Sequence, residues 1–278
     1  MNETELTEKI KTVQLEIAQV LADICERNGI RYFLAYGTLL GAIRHDGFIP
    51  WDDDIDIMMP YPDLLKFEEA CKRELPQGYF YQSPNTDPEY DLTIMRLCKD
   101  NTVMLEERMK DKNIHHGIFV DIYPLFGAAT GFGRKIQVFR AMKRALYLWG
   151  KPPENHGALT RMGSKFLLAL KPKRKRKKAA DKLFKKIALD YDACENVTVL
   201  DSRTEGMRRD YARAWFGEGV PHVFEDTAFK IPADAHSVLE KRYGDYMALP
   251  PENERVPHHD YVRISFDAQG SDAWAKVE

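Results

Sequence analysis

The stretch Ile49–Pro60, IPWDDDIDIMMP, sets Asp52, Asp53, Asp54 and Asp56 within five positions and then turns apolar. In an extended chain residues i and i+2 face the same side. Asp54 and Asp56 then share a face, with Ile55 and Ile57 turned to the core. Asp52 has the same phase and Asp53 the opposite one. Two carboxylates about 4 Å apart repel by about 4 kcal/mol at an effective dielectric of about 20. A cation must offset that, and a hard divalent ion with oxygen ligands, Mg²⁺ or Mn²⁺, suits these donors. Asp121 is the lone charge in the apolar run Ile118–Leu125, IFVDIYPL. A carboxylate there is costly without a partner. The same metal would serve if the two strands are neighbours, giving three carboxylates around one or two ions. Upstream, Gly37-Thr38 ends a strand and opens a helix, whose first N–H groups suit a phosphate. A phosphate cradle, an Asp-x-Asp strand and a third strand carboxylate form the layout of a metal-dependent phosphoryl or nucleotidyl transferase. The plainer alternatives are a simple turn at Gly37-Thr38, a solvated acidic loop, and an ion pair between Asp121 and a basic residue such as Arg96.

These residues need elements to position them. Leu6, Ile10, Val13, Ile17, Val20, Leu21 and Ile24 recur at helical spacing, with a left-handed end at Asn28-Gly29. Ile30–Tyr36 reads as a strand, LLGAIRH as a short helix, Asp54–Met59 as a strand and Pro62–Arg73 as a helix. Leu92–Cys98 and Thr102–Leu105 read as a hairpin, Phe224–Ile231 as a strand and Ala233–Tyr243 as a helix. The tail past Ser265 is expected to be a loose end. Strand and helix patterns alternate irregularly, and the hairpin argues against a purely parallel sheet, so the class is α+β.

The chain has 278 residues and a net charge of −2. That balance hides an asymmetry. Between Arg134 and Lys186 there are 18 lysines and arginines against Glu154 and Asp181, a local charge of +16 that leaves −18 elsewhere. Val138, Phe139, Met142, Ala145, Leu146 and Trp149 fall on one helical face, with Arg140, Lys143 and Arg144 on the other. The run Lys171–Lys178, KPKRKRKK, leads into a further helix. Apolar stripes beside basic residues suit an anionic membrane surface. Nucleic acid ranks lower as a partner, since no stacking platform or base-reading motif accompanies the charge. The expected organisation is a catalytic core over 1–132, a basic helical insertion over 133–192, and a C-terminal part, 193–278, that completes the catalytic domain. No run is long and apolar enough to span a membrane, and the polar N-terminus lacks the apolar region of a signal peptide. Cys25, Cys71, Cys98 and Cys194 have neither zinc nor redox spacing and read as free thiols. Together these place the chain in the cytoplasm, at the inner face of the membrane.

The block YGTLLGAIRHDGFIPWDDDIDIMMP resembles the signature of the LicD family, which is similar to fukutin-related proteins and has the nucleotidyltransferase fold. HHGIFVDIYPL resembles the family's second block. Tyr243–Tyr246 with the LPP that follows and His258-His259 resembles its C-terminal block. The resemblance implies a nucleotidyltransferase-like mixed sheet flanked by helices. It implies transfer of a phospho-alcohol, phosphocholine foremost, from CDP-choline or another CDP-alcohol to a hydroxyl of a teichoic acid or other lipid-linked surface-glycan precursor. Asp54, Asp56 and Asp121 become the metal ligands, Asp52 supports them, and Gly37 and Thr38 become donor-phosphate contacts. Arg44 and Arg96 are candidates to clamp phosphate oxygens, with an ordinary salt bridge as the alternative. Asp121 or a nearby carboxylate is the candidate base. His115 and His116 form a second histidine pair of interest. Tyr36, Phe48, Trp51 and Tyr123 are candidate faces for a quaternary ammonium, with the core as the competing place for each. Two other functions compete: a nucleotidyltransferase that leaves the nucleotide on its acceptor, and a non-catalytic binding module.

Overall fold

The computed structural model describes residues 3–153, 157–201, 207, 209–256, 260–267 and 273–275. Helix α1 (Glu3–Arg27) buries Ile10, Ile17, Leu21 and Ile24 along one stripe. Gly29, at φ +58°, turns the chain out of it. Next come β1 (Phe33–Leu34), α2 (Tyr36–His45), β2 (Asp56–Pro60), α3 (Tyr61–Glu74), β3 (Tyr79–Gln82), β4 (Met95–Lys99), β5 (Val103–Glu106) and β6 (Phe119–Gly127). The basic segment runs through α4 (Gly131–Trp149), α5 (Ala158–Ala169) and α6 (Lys173–Ile187). The chain then adds β7 (Asn196–Val199), β8 (Tyr211–Ala212), β9 (Val220–Phe224), β10 (Thr227–Ile231), α7 (Ala235–Tyr243), β11 (Tyr261–Ser265) and β12 (Ala273–Ala275).

The fold is α+β, with a seven-stranded mixed sheet flanked by helices, consistent with a nucleotidyltransferase-like architecture. The central order is β1-β2-β6-β4-β3. β2 and β6 run parallel, with Asp56 level with Asp121. The other edge of β6 is shared. β4 covers it as far as Ile122, and β7 takes it up at Leu125. Among the described strands none reaches Tyr123 and Pro124 on that edge. The Asp121 N–H donates to Ile55 O on the β2 side, 3.1 Å away. Alternation then turns position 124 toward the open edge, where Pro124 has no N–H to leave unpaired. This is why a proline survives in an inner strand.

Several sequence expectations change. The first strand shrinks to Phe33–Leu34, and the helix after it already starts at Tyr36. The expected 92–105 hairpin does not form. Both edges of β4 are taken, by β3 and β6, so β5 has no edge to join and pairs with β11 instead. The expected strand Phe224–Ile231 is two strands, β9 and β10, joined at Glu225-Asp226 with Glu225 at φ +55°. The tail past Ser265 is not loose throughout, since β12 pairs with β11. On α4, Arg144 is buried and not on a solvent face. It donates to Thr93 O at 3.0 Å, and Phe184 lies 4.2 Å from its guanidinium. Burial pushes its pKa down to about 10.

The C-terminal segment returns to the core. Glu225 accepts the Phe48 N–H at 2.8 Å, and His222 Nε2 meets Ala42 O at 3.0 Å. The β9–β10 hairpin thereby braces α2 and the loop that follows it. Gln137, buried on α4, donates to Gly127 O and Ile187 O at 2.8 and 2.9 Å, tying the basic helices to the end of β6. Among the described residues no helix is long and apolar enough to cross a membrane.

Candidate active site

Ladder pairing sets Asp56, Asp121, Arg96 and Gln82 level with one another across β2, β6, β4 and β3. Level residues on neighbouring strands share a face. Arg96 Nε donates to Asp121 Oδ1 at 2.8 Å, and Arg96 Nη1 meets Glu106 Oε2 at 3.0 Å. The Phe119 ring lies 3.4 Å from the guanidinium. Arg96 is 4 % exposed and does not line the cleft described below. Of its two sequence readings, the structure gives the ion pair with Asp121. Burial works against the Arg96 charge, but Asp121, Tyr90 and Glu106 outweigh it and hold its pKa well above the usual range. Glu106 is the mirror case. Burial pushes its carboxyl up, yet Arg96 and Arg108 bring it below the ordinary value.

Strand β2 begins at Asp56, so Asp54 sits in the extended segment just before it. The Asp52 N–H closes a turn onto Ile49 O at 2.9 Å. Helix α1 props this loop from below. Lys11 Nζ donates to Pro50 O at 3.3 Å, and Gln14 Nε2 donates to Asp53 O at 3.1 Å and Phe119 O at 3.4 Å. Asp52, Asp53 and Asp54 each bring one carboxylate oxygen within 4.8 Å of the others. Asp52, Asp54, Asp56 and Asp121 face a common cleft, and buried Asp53 does not line it.

Helix α2 forms the wall beside them. The buried Thr38 hydroxyl accepts the Asp56 N–H at 2.8 Å, so it fixes the start of β2. Gly37 is needed for a close approach: a Cβ there would stand 2.5 Å from Asp52 Oδ2. The Asp52 carboxylate thus rests against the first turn of α2, where the helix favours negative charge. Tyr36 holds φ +48°, a costly conformation for a bulky residue. Its ring meets Tyr123 edge-on at 4.9 Å, and the Arg242 guanidinium lies 4.1 Å from its centre. Arg44, on the last turn, reaches across to Tyr246 O at 2.9 Å and Ala248 O at 3.3 Å. Burial and Arg255 lower its pKa.

The cleft encloses about 1250 Å³. Gly37 and Arg44 line it, together with Arg108, Asp201 and Arg242, which sequence reasoning did not single out. Arg242 directly precedes the Tyr243–Tyr246 block, so a signal was present there. Asp201 follows β7 outside any recognisable motif and offered none. Tyr36, Trp51 and Tyr123 line the cleft, whereas Phe48 is buried against Phe224 at 5.0 Å and belongs to the core. Burial, Asp56 and Asp121 push the Tyr123 phenol well up, keeping it neutral. His115 stacks on Phe80 and meets Asp100 at 2.9 Å; His116 meets Lys112 O at 3.0 Å; neither lines the cleft. His258 and His259 lie outside the described residues.

The donor set suits Mg²⁺ or Mn²⁺. Asp52, Asp54, Asp56 and Asp121 present hard carboxylate oxygens to one cleft, with no sulfur or imidazole among those four. Among the described residues the acids whose oxygens already lie within 4.8 Å of one another are Asp52, Asp53 and Asp54, so an ion on Asp54, Asp56 and Asp121 would draw those three carboxylates together. Arg96 occupies one oxygen of Asp121, and Oδ2 lies outside that pair.

Residues 29–140 match the family described as LicD/FKTN/FKRP, nucleotidyltransferase domain. Over 258 residues, 89 % of this chain and 93 % of the relative, the chain is 28 % identical to the lipopolysaccharide cholinephosphotransferase LicD of Haemophilus influenzae. Over 115 residues, 40 % of this chain and 34 % of the relative, it is 32 % identical to an uncharacterised protein of Rickettsia typhi. A shorter stretch of 54 residues, 19 % of this chain and 11 % of the relative, is 41 % identical to the ribitol 5-phosphate transferase FKRP of Homo sapiens. Residues 29–140, in the N-terminal half, thus carry a LicD/FKTN/FKRP nucleotidyltransferase domain, and a LicD cholinephosphotransferase is similar to the chain along nearly its whole length.

Proposed function

We propose that this chain moves a phospho-alcohol, phosphocholine foremost, from a CDP-alcohol to a hydroxyl of a teichoic acid or other surface-glycan precursor, releasing CMP. The observation that carries this reading is the cleft itself. Asp52, Asp54, Asp56 and Asp121 stand on one wall, Arg44, Arg108 and Arg242 on others, and aromatic faces between them. The LicD relative is named for cholinephosphate transfer to lipopolysaccharide, which supports both the phospho-alcohol and the glycan acceptor.

In the reaction the acceptor oxygen forms a bond to the alcohol-bearing phosphorus. The bond from that phosphorus to the CMP oxygen breaks, CMP keeps the electron pair, and the acceptor proton passes to a base. Asp54, Asp56 and Asp121 would hold a Mg²⁺ or Mn²⁺ ion, which supplies charge neutralisation at the phosphoryl oxygens. Arg44, Arg108 and Arg242 supply guanidinium groups for the diphosphate. Asp52 steadies the first turn of α2, Thr38 fixes Asp56, and Arg96 fixes Asp121. A quaternary ammonium finds aromatic faces in Tyr36, Trp51 and Tyr123. Asp201, also on the cleft wall, adds negative charge that favours a cationic alcohol, whereas the charge of Glu106 is taken up by Arg96 and Arg108.

CMP release from CDP-choline, CDP-ethanolamine, CDP-glycerol and CDP-ribitol tests this, with Mg²⁺, with Mn²⁺ and with EDTA. The expected result is metal-dependent release from one donor, lost in Asp54→Asn while the thermal melt is kept. Release that persists at the wild-type rate in Asp54→Asn would refute the site. The runner-up is transfer of the nucleoside monophosphate itself, favoured by the nucleotidyltransferase description of the family. The mass added to the acceptor separates the two.

A further inference from the structure

Helix α5 carries an apolar stripe that its own fold leaves bare. Leu159, Met162, Phe166 and Leu170 are between 63 and 81 % exposed. Spacings of three and four put them on one face, about 16 Å long at the helical rise. The opposite face carries Leu168, which is buried with Leu146, Tyr147 and Ala180. One side of α5 is therefore docked and the other is not. Arg176 fixes its end. Nε donates to Lys171 O, Nη2 to Leu168 O and Nη1 to Gly150 O, at 3.0, 3.0 and 3.3 Å. On α4 the stripe that ends in Trp149 is partly used by the core, since Ala145 and Leu146 are buried. Phe132, Phe139 and Met142 of the same helix remain exposed. So many large apolar side chains in one helical layer exceed the scatter of an ordinary surface.

Charge identifies what covers this face. Arg161 and Lys165 are exposed on α5, and Lys173, Arg174, Lys175 and Lys178 on α6. The segment 134–186 carries +16. A second copy of this chain would set +16 against +16. A nucleic acid would neutralise the charge but leave the stripe in water. An interface that is anionic at its surface and apolar just beneath satisfies both. We propose that α5 lies in the headgroup region of an anionic bilayer, with Leu159, Met162, Phe166 and Leu170 inserted and the basic residues of α5 and α6 on the lipid phosphates. This surface is separate from the cleft and holds whichever alcohol the cleft transfers.

Co-sedimentation of the full chain with vesicles tests it. One set is phosphatidylcholine alone; the other mixes phosphatidylcholine with phosphatidylglycerol. Binding is expected only to the mixed vesicles, weakened by salt. Phe166→Asp is expected to weaken it by on the order of tenfold or more, because an inserted aromatic is replaced by a charge. Leu159→Asp, at the far end of the stripe, should do the same with an unchanged melting temperature. Equal binding of wild type and both variants would overturn the proposal, leaving charge alone as the cause. Absence of vesicle binding would overturn it too. So would a dimer that Phe166→Asp dissolves in place of vesicle binding, or binding to duplex RNA that vesicles do not compete.

Discussion

Arg96→Met leaves Asp121 and Glu106 buried without the guanidinium that now lies between them at 2.8 and 3.0 Å. Both carboxylates are almost fully covered. Breaking a buried ion pair from one side costs about 3–5 kcal/mol, because a charge stays behind in a poor solvent. At roughly 2–4 °C per kcal/mol for a chain of this size, the melting temperature should fall by about 6–20 °C. Circular dichroism melts in EDTA at pH 7 read this without any contribution from metal. The triple variant Arg96→Met, Asp121→Asn, Glu106→Gln removes the stranded charges along with their partner. It should therefore regain at least half of the loss. Arg96→Lys should fall between, since an ammonium keeps the charge but cannot fork to two carboxylates. A fall of less than about 1 kcal/mol in Arg96→Met, or a triple variant no better than the single one, would refute the idea that this guanidinium balances the row.

Three further expectations follow from the same geometry. Gly37→Ala should cut CMP release sharply with little change in stability, because its Cβ would stand 2.5 Å from Asp52 Oδ2; adding Asp52→Gly should clear the clash without restoring full rate. Thr38→Val strips the acceptor from the Asp56 N–H, 2.8 Å away, and should cost about 1–3 kcal/mol in a denaturant titration; a loss below about 0.5 kcal/mol would mean the bond is replaceable. Glu106 titrates below its ordinary value of 4.5 in the folded chain. Its contribution is therefore present above that value and lost as pH falls through the lower folded one. Glu106→Gln should flatten the drop in melting temperature below about pH 4.5, and an unchanged slope would speak against the pairing.

The aspartates were the legible part of the site. Alternation alone put Asp54 and Asp56 on one side and Asp53 on the other, and the lone charge in IFVDIYPL pointed to Asp121 as their neighbour. The structure sets Asp56 level with Asp121. Arg96 shows the limit. Sequence offered both a phosphate clamp and an ion pair, and only the ladder between β4 and β6 decides for the pair. The 92–105 hairpin failed for a related reason. Local pattern says that two runs are strands, but not which edges are already occupied. Arg144 was misjudged because exposure depends on what folds back from far along the chain, here α6, and of the two places open to Phe48 the β9–β10 hairpin decides for the core. Asp201 reaches the cleft from a distant segment that gave no sign of it, while Arg242 was marked only by the Tyr243–Tyr246 block that follows it.

The shared edge of β6 divides labour within the cleft. The acidic row depends on ladder bonds and on the clips from Thr38 and Arg96, so its geometry tolerates little drift. At Tyr123 and Pro124, where β4 has ended and β7 has not begun, the wall is made by Leu92, Thr93 and Ile94 on one flank and Asp201 on the other. Those residues owe nothing to the ladder that holds the carboxylates. On the proposed function, a lineage could exchange one alcohol headgroup for another by rewriting these few side chains while the row of carboxylates beneath them stays unchanged.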